Sequence, residues 1–201
     1  MCPIESGRAG VLVVHESAFL ASAETLGLLR DEGFEVAAHA LGEEARESDR
    51  AALAELDGAL DRLRRRPGVD PERLAVLGIE RGGTLAFLLG CTRRLAAVVD
   101  VEGPVLHAEL SAARPAQPLE LALNLEGSFL GVFAADGAVG ARERELLREQ
   151  LVSAARPFEI IETSGREIFV DPRRRGYDGA QVMETWRRVL VFLRETLAAP
   201  E

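Results

Sequence analysis

The chain contains no lysine, and all 24 of its basic side chains are arginine. That excludes Schiff-base chemistry on a lysine and any serine–lysine dyad. Cysteine is scarce too. Cys2 and Cys91 lie too far apart in sequence to suggest a disulfide framework or a zinc site. No apolar run reaches the roughly 18 residues of a membrane span, and Met1 to Gly10 has no apolar segment of signal-peptide length. Positive charge is outweighed, with 24 basic against 33 acidic side chains, a net charge of −9 and no basic stripe. Nucleic acid and anionic membranes are therefore not expected partners. Together these absences suggest a soluble, cytoplasmic protein. The 201 residues are 47% hydrophobic, enough for one ordinary core, so residues 1–201 are expected to form a single domain.

Strand and helix patterns alternate along the chain. Val11 to His15 reads as a buried parallel strand. Phe19 to Arg30 has helical spacing, closed by Gly33. Phe34 to Ala40 reads as a second strand, and Glu47 to Arg66 as one long amphipathic helix stopped by Pro67-Gly68. Strands at Leu74–Ile79, Leu95–Val101, Phe129–Ala134 and Phe158–Ile161 follow, with helices at Gly82–Leu89, Ala141–Ala155 and Gln181–Leu197. His107 to Leu119, with two prolines, reads as an irregular excursion. The alternation implies an α/β protein whose mostly parallel sheet has helices on both faces. Sites in such sheets form at the carboxyl ends of the strands. His15, Glu16, His39, Glu80, Glu102, Asp136 and the segment Ser164 to Asp171 stand there.

One stretch says more than the rest: Val76-Leu77-Gly78-Ile79-Glu80-Arg81-Gly82-Gly83. An apolar strand passes into a helix with no loop, through Gly-x-Glu-x-Gly. A strand that turns into a helix through Gly-x-nucleophile-x-Gly is the nucleophile elbow of the α/β hydrolases, whose strained turn leaves almost no room for neighbouring side chains. Here the elbow residue is a glutamate.

Further stretches resemble the dienelactone hydrolase family of that fold. Val11-Leu12-Val13-Val14-His15-Glu16 looks like the family's first parallel strand, and Asp70 to Gly78 like its lead into the elbow. Gly82-Gly83 matches its double glycine, and Gly131 to Val139 resembles the segment bearing the acidic triad member. Gly165 to Asp171, Tyr177-Asp178 and Trp186 to Leu197 resemble its histidine loop and last helix. The resemblance implies an α/β-hydrolase fold, shortened at the N-terminal strands because the first parallel strand begins near Gly10. It places Glu80 at the Cys or Ser position, Asp136 at the acidic position and Arg166 at the histidine position. It keeps, as Glu16, the glutamate beside the nucleophile. Nucleophile and general base are thus both replaced.

A carboxylate needs no deprotonation at neutral pH, so losing thiol and histidine together is chemically consistent. If Glu16 and Glu80 meet at a pocket floor, two nearby carboxylates resist double ionisation, leaving one as base and the other as acid. Arg81 or Arg166 could instead hold both ionised. The backbone N–H groups of Ser17 and Arg81 would polarise a carbonyl. His15 or His107 would act beside Glu80 only if folded over it. The expected catalytic residues are therefore Glu80, Glu16, Asp136 and Arg166, with His15, Ser17, Arg81 and His107 contacting a small carbonyl or lactone ligand. The chemistry would be isomerisation, cyclisation, dehydration or water addition. The alternatives are residual hydrolysis using Glu80, or a binding protein whose Glu80–Arg166 salt bridge fills a dead site. His15, Glu16, Glu80 and Asp136 have metal-ligand chemistry but no recognised spacing, so no metal and no cofactor is expected. Cys91 is expected to pack as a small apolar residue.

Overall fold

The computed structural model describes residues 7–15, 23–164 and 177–199. Glu16, Ser17 and Arg166, expected in the site, lie outside them. Six strands form one sheet: β1 (Arg8–His15), β2 (Glu35–Ala40), β3 (Val69–Ile79), β4 (Ala97–Val101), β5 (Ser128–Ala134) and β6 (Phe158–Thr163). Their spatial order is β2-β1-β3-β4-β5-β6, and every neighbouring pair is parallel. Chain order reverses between β1 and β3, so a crevice is expected outside the carboxyl ends of those two strands. His15 and Glu80 stand at those ends.

The helices are α1 (Ala23–Asp31), α2 (Glu43–Glu47), α3 (Asp49–Arg64), α4 (Arg81–Thr92), α5 (Ala141–Ser153) and α6 (Gly179–Thr196), with a 3-10 turn at Pro118–Asn124. The period-2 alternation of the strands divides the core between two faces. Leu12, Val14, Leu74, Val76, Val98, Phe129 and Phe133 pack beneath α3, α4 and α5. Val11, Val13, Ala75, Leu77, Val99, Val101, Leu130 and Val132 pack against α1 and α6. Strands buried on both faces read as continuous apolar runs. This is why the pattern was visible without tertiary information.

Two elements differ from the expectation. The strand before the elbow starts at Val69 and takes in Asp70-Pro71, because Arg8 pairs with Val69 across a register shift before Gly10 meets Leu74. A proline is tolerated at the beginning of a strand, where its missing N–H breaks no ladder. The expected helix over Glu47–Arg66 is α3, beginning two residues later, and a short helix that the sequence reading did not include, α2, precedes it. Ser48, extended at φ −123° and ψ 122°, ends α2 and caps α3, its Oγ accepting from the Ala51 N–H at 3.3 Å. This break makes Asp49 the first residue of α3.

Candidate functional site

The elbow forms as the glycine spacing requires. A Cβ on Gly78 would overlap the Gly82 carbonyl, and one on Gly82 would overlap the Val14 carbonyl of β1. Only glycines let α4 start this close to the sheet. Glu80 sits at the corner with φ 55° and ψ −124°, a region unfavourable for any residue with a Cβ. Its N–H donates to the Val101 carbonyl at 2.7 Å, and its own carbonyl accepts from the Gly83 N–H at 2.8 Å. Glu80 is exposed on the rim of the sheet.

Arg81 opens α4, so its backbone N–H is among the first-turn amides that have no partner within the helix. Its side chain has a carboxylate partner that the sequence reading did not name. The guanidinium turns to α3, where Nη2 donates to Asp49 Oδ1 at 2.5 Å. On the other side of that carboxylate, His107 Nε2 lies 2.8 Å from Oδ2. The side chains of Arg81, Asp49 and His107 are 13%, 6% and 6% exposed, so the three form a nearly buried cluster one residue past the elbow. Asp49 was missed from sequence. Its signal was present in Ser48-Asp49, a capping residue followed by a first-turn acid at the start of the expected helix.

His107 is delivered by the loop after β4, which side chains grip along its length. Gly103 N–H donates to Asp100 Oδ1 at 2.8 Å, and Thr84 Oγ1 to the Pro104 carbonyl at 2.7 Å. The N–H groups of Val105 and Leu106 donate to Glu143 Oε1 at 2.6 and 2.8 Å. Gln117 then brackets His107, accepting from its N–H at 2.5 Å and donating to its carbonyl at 3.0 Å.

Glu102 is a second rim glutamate with positive φ, at 60°. Val101 is in register with Ile79, so Glu102 follows β4 where Glu80 follows β3. Its carboxylate accepts from the Ala134 N–H at the end of β5. Asp136 lies on an exposed turn after β5. Arg144, buried beneath, holds that turn by donating to the carbonyls of Ala134, Ala135 and Val139. His15 ends β1 and is buried, at 3% exposure. His39 pairs with Glu55 at 3.2 Å on the edge strand, two strands from the elbow.

Asp100 is fully buried beneath the first turn of α4, where a Cβ on Gly83 would overlap its Oδ1. Burial pushes its carboxyl well above the usual range. The Gly103 N–H opposes that shift, while Glu102 and Glu143 add to it. Burial likewise pushes the Cys91 thiol up to about 12, the behaviour of an inert packing residue.

No group of three or more His, Cys, Asp or Glu side chains among the described residues is arranged to hold a metal ion. No helix among them is long and apolar enough to cross a membrane. A cleft of about 660 Å³ opens at the amino ends of the strands, around Arg64, Glu72, Arg94, Glu126 and Arg156. It lies at the opposite end of the sheet from the elbow.

A model of the dienelactone hydrolase family matches residues 27–197, from α1 through the elbow to the end of α6. The chain belongs to the dienelactone hydrolase family. A protein of Escherichia coli (strain K12) named "Putative carboxymethylenebutenolidase" is 28% identical over 155 residues, which are 75% of this chain and 56% of that protein. The match thus spans little more than half the length of that curated relative. Among solved structures, a "Putative Dienelactone Hydrolase" from Klebsiella pneumoniae superposes with a TM-score of 0.80 at 24% identity, covering 95% of this chain and 88% of that one. The "Dienelactone Hydrolase-like Promiscuous" phosphotriesterase P91 from metagenomic libraries does so at 0.76 and 19%, covering 95% and 87%. At these identities the two structures share the α/β-hydrolase fold with this dienelactone hydrolase family member, and the chemistry has to be argued from its own residues.

Proposed function

We propose that this dienelactone hydrolase family member acts on a small carbonyl or lactone compound by carboxylate acid–base chemistry, with Glu80 as the proton acceptor. One observation carries this. Glu80 holds the elbow corner at φ 55° with its carboxylate exposed at the rim. A residue kept in such a conformation costs about 1–3 kcal/mol, and strain of this kind gathers at functional sites. A glutamate there has no thiol or hydroxyl to offer, so transfer of a proton is the simplest use of the position. The first-turn amides of α4 supply hydrogen-bond donors for a carbonyl oxygen at the same corner. Glu16, Ser17 and Arg166 would complete the site from segments outside the described residues, and Asp136 would face it from the β5 turn. Water addition to a lactone falls within this chemistry, and the Escherichia coli relative carries the name of a lactone-opening enzyme.

The test is turnover of an activated-ester and enol-lactone panel by the wild type and by Glu80→Gln. Loss of about 10²–10⁴-fold in kcat with the glutamine is expected for removal of a general base. Equal turnover by both proteins would sink the assignment, and equal inactivity would leave the chain as a ligand-binding relative of the enzymes. Glu80→Gly, which removes the Cβ from the strained corner, should gain about 1 kcal/mol of stability while losing turnover, read from the urea midpoint.

A further inference from the structure

We infer that His107, oriented by Asp49, is the second proton-transfer group of this site, in the role for which the family resemblance offers only Arg166. This rests on the carboxylate chemistry proposed above and names the partner of Glu80 in it. Three observations carry it.

The first is the ring's orientation. Asp49 Oδ2 lies 2.8 Å from His107 Nε2, and a carboxylate only accepts, so Nε2 carries a hydrogen. In the neutral ring Nδ1 is then the basic nitrogen, and among the described residues no hydrogen bond reaches it. An imidazole with one nitrogen fixed on a carboxylate and the other left over is the arrangement that general acid–base histidines use.

The second is placement. The Asp49 carboxylate that holds His107 also holds Arg81, the residue next to Glu80. A second histidine–carboxylate pair among the described residues, His39–Glu55, has no such link and stands on the edge strand.

The third is the loop. Asp100, Thr84, Glu143 and Gln117 fix the backbone from Gly103 to His107 by six hydrogen bonds. A solvated turn needs no such grip. A catalytic group does, because misplacement by about 1 Å can cost two orders of magnitude in rate.

For a lactone the step balances as follows. Glu80 takes a proton from water as the water oxygen bonds to the carbonyl carbon. The ring C–O bond breaks, and its oxygen takes the proton from Nδ1 of the His107 imidazolium. Glu80 then loses its proton to solvent and His107 regains one. Asp49 touches no reacting atom and is a positioning residue.

The experiment compares the wild type, Glu80→Gln, His107→Gln and Asp49→Asn on the lactone panel across pH. It is joined by ¹⁵N NMR of the imidazole nitrogens and by carbethoxylation with diethyl pyrocarbonate. The His107 signals are assigned by their loss in His107→Gln. Expected are a 10²–10³-fold fall in kcat for His107→Gln with loss of one limb of the pH profile. Asp49→Asn should give a smaller fall, with the limb shifted and KM little changed. The neutral ring should be the Nε2–H tautomer and should react with diethyl pyrocarbonate. If His107→Gln keeps its rate within twofold while Glu80→Gln loses it, the assignment to His107 is overturned and that to Glu80 stands. If only the His107 variant loses its rate, the reverse holds. An Nδ1–H tautomer or an unreactive ring overturns the inference whatever the rates, and absence of turnover by every protein of the set overturns it together with the proposed function.

Discussion

Two aspartates meet the first turn of α4, Asp49 from the neighbouring helix and Asp100 from the sheet below. They are 4% and 0% exposed, yet the fold settles them in opposite ways. Asp49 receives an arginine on one oxygen and a histidine on the other. It also begins a helix, whose N-terminus favours negative charge. Asp100 receives one backbone N–H on Oδ1, while Oδ2 is buried with no partner. Burial of a carboxyl is offset by partners or it is met by protonation. The rim therefore places a paired carboxylate and a carboxyl driven toward its neutral form on two sides of the same helix end.

The largest effect should come from the space the second carboxyl occupies. Gly83→Ala would set a methyl group onto Asp100 Oδ1, and Asp100 is enclosed by the sheet and has nowhere to retreat. A loss of about 3 kcal/mol or more is expected from overpacking, seen as a lower urea midpoint. Next comes Asp49→Ala, which strands the Arg81 guanidinium and the His107 ring in a nearly buried place. Breaking a buried pair by removing one member costs about 3–5 kcal/mol; at side-chain exposures of 6–13% the lower end is expected. A loss below 1 kcal/mol would mean the cluster is open to water and the contrast with Asp100 is not real.

Asp100→Asn sharpens the contrast through pH. The folded carboxyl titrates above its ordinary value, so between the two values the folded state holds a proton that the unfolded chain has released. Stability of the wild type then falls as pH rises above about 3.9, by at most about 1.4 kcal/mol per pH unit. Asparagine removes that slope while keeping an acceptor for Gly103. The variant should gain on the wild type from acid toward neutral pH and show little advantage near pH 3.5, measured by thermal unfolding at each pH. A constant difference across pH would show that Asp100 does not titrate in this range. The smallest effect belongs to the exposed Arg93–Asp57 pair, 2.6 Å apart with side chains 49% and 33% exposed. Asp57→Ala should cost under about 1 kcal/mol, and less in high salt.

Much of the sheet was readable in the chain because its strands are buried on both faces and leave unbroken apolar runs. The elbow was readable because Gly78, Gly82 and Gly83 are steric requirements, and a glycine requirement is written in sequence. Asp49 was hidden because the expected helix began at Glu47, one residue before the capping Ser48, and an acid in the first turn reads as an ordinary helix-end charge. With Asp49 went the partner of His107, which stands 58 residues away.

The sequence by itself determined the family, the alternation of strands and helices and the glutamate at the elbow, since each depends on local pattern and short spacing. Only the tertiary structure decided that Arg81 turns to Asp49, that His107 joins them and that Asp100 is left with an unpartnered oxygen. Those outcomes depend on which side chains α3, α4 and the β4 loop bring together, and on how much water the packing excludes. No spacing along one chain encodes either.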